Sequence, residues 1–162
     1  MTIIGNAEHT KIAEAVVQRI QDLNLTGMSL SRIALRVLDE DLTTCLPGPP
    51  GVMVIVAGAE RVSHTEGSNK SKIIHYPIGV VIGAKCPPPI EALVEIDRNL
   101  QWRQDVRNGL WHKSAELVAA GAPVTVFDIE WEPGRIFIPA SWKKLNMWVG
   151  AMAFRVSSKE AI

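Results

Sequence analysis

At 162 residues the chain is long enough for one domain, spanning 1–162, that buries roughly 70% of its unfolded surface without disulfides or metal. Its 17 Lys and Arg balance 17 Asp and Glu, so no global field favours nucleic acid, an anionic membrane or an acidic substrate. Cys45 and Cys86 lie far apart and outside any metal-ligand spacing. They read as free thiols in a reducing compartment, or as a disulfide only if their loops meet. The N-terminus lacks a secretory pattern. Apolar runs stop well short of the about 20 residues that a membrane span needs, so the expectation is a soluble protein made in the cytoplasm.

Taken in order, residues 7–25 predict a helix. Ile12, Val16, Ile20 and Leu23 recur at helical spacing, widened by Ala13 and Val17. Asn6 is the expected N-cap, and Asn24 to Gly27 the stop. Residues 31–39 alternate, with Ile33, Leu35 and Val37 on one side, and predict a half-buried strand. Asp39, Glu40 and Asp41 follow as a solvated strand end, because consecutive side chains on an extended chain diverge and do not converge on a cation. Prolines 47, 49 and 50 make a stiff surface loop.

Val52–Ala57 is apolar on both faces and predicts a central strand. Around Ala59–Val62 the chain turns amphipathic, as if leaving the core. The stretch 63–72 is polar and predicts a long mobile arm between two antiparallel strands. The return strand starts near Ser71, where Pro77 calls for an edge or a bulge. Gly79 and Gly83 mark a bend or a close backbone approach. Gly79–Cys86 has only a superficial likeness to a phosphate loop: the spacing is one residue short, and Cys86 replaces the Ser or Thr.

Pro89 opens a second helix over about 90–112. Leu93, Ile96, Leu100 and Val106 define its apolar face, with Trp102 and Leu110 near it. Arg98, Arg103 and Arg107 are placed on the solvent side, where they could serve subunit salt bridges, and Gly109 is expected to loosen the last turn. Residues 113–123 form a short helix or a loop. Val124–Glu132 alternates, with Phe127, Ile129 and Trp131 on one side and Asp128, Glu130 and Glu132 on the other. The last strand covers about 142–156, and 157–162 reads as a polar, frayed tail. The fold expected is α+β. A mixed, mainly antiparallel sheet of about five strands carries an N-terminal helix and a long helix, plus an extended hairpin arm.

Chemistry is sparse. His9, His64, His75 and His112 are dispersed without zinc spacing, and no nucleophile elbow occurs. Asp128, Glu130 and Glu132 could act as an acid/base pair, a solvated face or a channel lining.

Three stretches carry a family likeness: Pro50–Arg61; His75–Lys85 followed by Ile90–Asp97; and Lys143–Val156. Their order resembles that of the tail-terminator proteins of long-tailed bacteriophages, also called neck or tail-completion proteins. The proline runs at 47–50 and 87–89 have no counterpart in that pattern. The resemblance implies a structural virion protein, with no enzyme activity and no cofactor or metal. It implies a homo-oligomeric ring, a hexamer, that caps the tail tube, ends its polymerisation and joins the tail to the head-side connector. The genome would pass through the lumen without sequence-specific binding. Under this reading His64, Glu66, Lys70 and Lys72 of the arm contact a neighbouring subunit, and Asp128, Glu130 and Glu132 face the lumen. The alternatives are another neck, adaptor or tail-tube protein, or a small cytoplasmic enzyme or ligand-binding domain. For the last, His75, Tyr76 and Cys86 are the first suspects.

Overall fold

The computed structural model describes residues 7–35, 50–63, 71–85, 89–132 and 147–161. Helix α1 (Glu8–Asp22) buries Ile12, Ala13, Ala15, Val16 and Ile20, the stripe that the sequence marks. Ala7 holds the N-cap position without a side-chain cap; Asn6 lies outside the described residues. Asn24 and Gly27 take left-handed backbone (φ 51° and 74°) and end the helical segment.

The sheet is α+β in class, mixed and mainly antiparallel, with six strands: β1 (Ile33–Leu35), β2 (Gly51–Val56), β3 (Arg61–Ser63), β4 (Ser71–Lys85), β5 (Val126–Glu132) and β6 (Met147–Ala161). The order is β1-β2-β4-β6-β5, with β3 also pairing β4. Among the described residues, only β1 and β2 pair parallel. The added strand is β3, where the chain was expected to leave the core. A short 3-10 turn, Leu30–Arg32, precedes β1.

Strands β4 and β6 pair without interruption from Ser71↔Ala161 to Lys85↔Met147. The expected frayed tail is therefore strand as far as Ala161, with Ser157 and Ser158 buried. Their hydroxyls are satisfied by His75 Nδ1 at 2.8 Å and Thr125 Oγ1 at 2.7 Å, which removes the cost of burying them. The arm is also shorter than expected. Ser63 belongs to β3, and Ser71 and Lys72 to β4; residues 64–70 lie outside the described residues.

Pro77 sits in an interior strand, where a missing N–H should break the ladder. It stands at the break between β2, which pairs as far as Val56↔Ile78, and β3, which starts at Arg61↔His75. The Pro77 carbonyl still accepts from Ala57 N–H at 3.3 Å and from His9 Nε2 at 2.9 Å. The proline thus occupies a local edge inside the sheet.

Helix α2 (Pro89–Leu110) and the short α3 (Ser114–Ala119) complete the layer on one face of the sheet with α1. On α2, Asn99, Trp102, Val106 and Leu110 are buried, while Leu100, expected inside, is exposed. Trp102 Nε1 donates to Thr26 O at 2.7 Å. Gly109 tightens the structure where loosening was expected: a Cβ there would stand 2.6 Å from both δ-carbons of Leu23, and Arg19 donates to its carbonyl at 3.0 Å. Glycine there leaves room for the Leu23 side chain between the end of α1 and α2.

Arg103 and Arg107 also depart from expectation. Arg103 Nη1 donates to Ala151 O at 2.8 Å. Pairing of β5 with β6 stops at Glu132↔Ala153, and the guanidinium satisfies a β6 carbonyl beyond that point. Arg107 lies 5.5 Å from the centre of the Trp131 ring, a cation–π distance.

The core lies between this helix layer and the sheet. It joins Val16 and Ile20 of α1, Trp102 and Val106 of α2, and Leu117 of α3 to Ile78, Val80, Ile82, Phe154 and Val156.

Candidate functional site on the open sheet face and its edge

Period two sends alternate residues of each strand to the face away from the helices. There β4 presents His75, Pro77 and Gly79, and β6 presents Ala153, Arg155 and Ser157. Pro77 and Ala153 keep the floor low, while the space above Gly79 is filled by Ile55, whose Cγ1 would stand 2.8 Å from a Cβ there. The result is a groove of about 690 Å³ whose polar lining is Arg61, Ser63, His75, Glu132 and Arg155.

Strand β5 forms the rim. A β-bulge interrupts its register between Val126↔Ser158 and Asp128↔Ser157. Strict alternation would put Phe127 inward with Ile129. The extra residue instead lets Val126 and Ile129 both point into the core, leaving Phe127 exposed. Asp128, Glu130 and Glu132 do share one side of the strand, but they do not act together. Glu132 belongs to the groove. Asp128 and Glu130 gather on His112, whose Nδ1 lies 3.2 Å from Asp128 Oδ1 and 3.9 Å from Glu130 Oε1.

His112 reaches them because α2 ends beside β5. It takes left-handed backbone (φ 58°), and its N–H donates to Ile129 O at 3.0 Å. The Trp111 ring stacks on the imidazole with centroids 5.1 Å apart and meets Trp131 at 5.7 Å. The donor atoms of His112, Asp128 and Glu130 all lie within 4.8 Å of one another, and all three side chains are partly open to solvent. The sequence reading missed this grouping. His112 comes from another element 16 residues away, and no local spacing signals it.

Of the arm residues, Lys72 lies in β4 opposite Glu160, whereas His64, Glu66 and Lys70 are outside the described residues. Of the residues suspected for a ligand-binding or enzymatic reading, His75 and Tyr76 point to opposite faces. Cys86, like Cys45, is outside the described residues. Tyr76 is buried, with its hydroxyl donating to Glu160 Oε1 at 2.8 Å and its ring edge-on to His9 at 5.1 Å. Burial, and then the hydrogen bond and negative charge of Glu160, hold its ionisation well above the ordinary tyrosine range. This makes Tyr76 a structural hydrogen-bond donor.

At the hairpin end of the sheet one row crosses four strands: Val62, Ile74, Ser158 and Val126. Each end of this row carries exposed apolar side chains. Val62 of β3 is 42% exposed; by β5, Phe127 is 49% and Val124 86% exposed. Arg61 accompanies the first edge and the three carboxylates accompany the second. Among the described residues, neither edge is paired with a further strand. No protein-family model matches the chain, and no curated protein matches it.

Proposed function

We propose that this chain is a structural virion protein, the tail terminator of a long-tailed bacteriophage. Its copies close into a ring, a hexamer, that caps the tail tube and meets the head-side connector. One observation carries the reading: the two unlike edges at the hairpin end of the sheet. An apolar edge with a cation (Val62, Arg61) and an apolar edge with carboxylates (Val124, Phe127, Asp128, Glu130, Glu132) complement each other between copies, not within one. Unlike edges join head to tail, and such joining gives rings when the rotation closes. The resemblance of the element order to that family supports the same reading.

In such a ring the open face borders the lumen through which the genome passes, and Asp128, Glu130 and Glu132 lie where that face meets the subunit seam. The hairpin, with His64, Glu66, Lys70 and Lys72, reaches the adjacent subunit. No step of chemistry is required of any residue.

The test uses particle mass by light scattering, with and without the tail-tube protein. The expected particle is about six times the 17.7 kDa chain. Val62→Asp and Phe127→Asp each spoil one edge, so each alone should stay monomeric. Mixed together, they retain one intact pair of edges and should form two-subunit particles. A wild-type chain that stays monomeric even with tube protein would refute the ring. Rings formed by either single variant would refute the edges.

A further inference from the structure

The grouping of His112, Asp128 and Glu130 invites a second question, about the same β5 edge in the single chain. One imidazole nitrogen and two carboxylate oxygens are a mixed donor set suited to a borderline metal ion; all-oxygen sets suit Mg²⁺ and Ca²⁺. Four-coordinate zinc with bonds of about 2.0–2.1 Å places neighbouring donor atoms about 3.3 Å apart. Here His112 Nδ1 stands 3.2 Å from Asp128 Oδ1 and 3.9 Å from Glu130 Oε1. The first spacing already fits, the second needs a shift of roughly half an ångström in a solvent-facing glutamate, and the carboxylate pair, which lies within 4.8 Å, closes on the ion by the same movement.

We infer that His112, Asp128 and Glu130 form a binding site for a divalent transition-metal ion, with Zn²⁺ the best fit. Two supports of the site are already fixed. The N–H of His112 is bonded to Ile129 O, which holds the ring at the strand edge, and Trp111 covers one ring face. The two carboxylates, two residues apart on one side of β5, repel each other when both are ionised, and a dication between them reverses that repulsion. Solvent access leaves the fourth position for water or for a donor from another molecule. Bound there, the ion ties the end of α2 to β5 and closes a loop around α3.

The test uses the full chain without a polyhistidine tag, so that no foreign imidazole competes. Co²⁺ serves as the optical probe and Zn²⁺ is titrated by calorimetry. The expected result is one ion per chain, a visible Co²⁺ spectrum of four-coordinate type that Zn²⁺ displaces, and a Tm raised by Zn²⁺. Glu130→Gln should weaken binding by more than the roughly 10–100-fold typical of losing an outer partner. His112→Asn keeps a residue that tolerates left-handed backbone, so the variant should fold yet lose the Co²⁺ spectrum. Wild-type protein without saturable binding below millimolar Zn²⁺ would overturn the site. So would unchanged binding in the combined His112→Asn, Asp128→Asn, Glu130→Gln variant, or equal affinity for Mg²⁺, which would argue against a nitrogen ligand.

Discussion

On the helix-covered face of the sheet, β4 and β6 present Ile78, Val80, Ile82, Met152, Phe154 and Val156, all buried. On the other face the same two strands present His75, Pro77, Ala153 and Arg155, which line a groove. Phe154 and Arg155 are chain neighbours, and only the pleat separates their fates. The covered face holds the connected core and most of the area removed from water, while Met53, Ile55 and Ile73 are buried on the other face. The open face and its rim carry charge, imidazole and hydroxyl groups, and the edges by which copies are proposed to meet. A substitution should therefore reveal its face by what it changes: unfolding free energy on one side, association or ion binding on the other.

The largest expected effect tests the covered face. Phe154 is fully buried among residues of the sheet and helix layers. Phe154→Ala removes an aromatic ring and leaves a cavity, at a cost of about 3–5 kcal/mol. Urea unfolding followed by circular dichroism reads this directly. A loss under about 1 kcal/mol would mean that the two layers do not share one core.

Tyr76 tests the same face by a polar route. Removing its hydroxyl with Tyr76→Phe should cost about 1 kcal/mol, the net worth of one hydrogen bond. The pH dependence is more diagnostic. Folded Tyr76 holds its proton more tightly than the unfolded chain does. Its contribution is therefore complete below the unfolded value of about 10 and is lost as pH rises above it, where the unfolded chain sheds the proton first. Wild-type stability should fall more steeply above pH 10 than that of Tyr76→Phe. Parallel alkaline curves would contradict the buried, carboxylate-bonded phenol.

These examples also separate what local sequence reports from what it does not. The α1 stripe, the two-sided β2 and the long β4 are legible in the run of apolar residues, because β2 is buried on both faces and the α1 stripe on one. The strand at 157–161 was hidden because Ser157 and Ser158 look solvated. Their partners, His75 and Thr125, are 82 and 33 residues away. Pro77 argued for an edge, and the edge exists only because β2 and β3 break opposite it. The acidic alternation of β5 was legible, but the bulge that exposes Phe127 and the arrival of His112 were not. The bulge lets Val126 and Ile129 both reach the core, and the arrival of His112 follows from α2 ending beside β5; neither has a local spacing.

The smallest expected effect completes the contrast. Arg155 is exposed, one residue from Phe154, and stands opposite Glu130 in the β5–β6 register. Charged pairs in water contribute little, since attraction is screened and two long side chains must be ordered. Arg155→Ala should therefore change unfolding free energy by no more than about 0.5 kcal/mol. It removes a cation close to Asp128 and Glu130, so Zn²⁺ affinity at His112 should hold or rise slightly, while Phe154→Ala has no electrostatic reason to change it. If Arg155→Ala unfolds the chain as readily as Phe154→Ala, the open face is part of the core and the division into two faces fails.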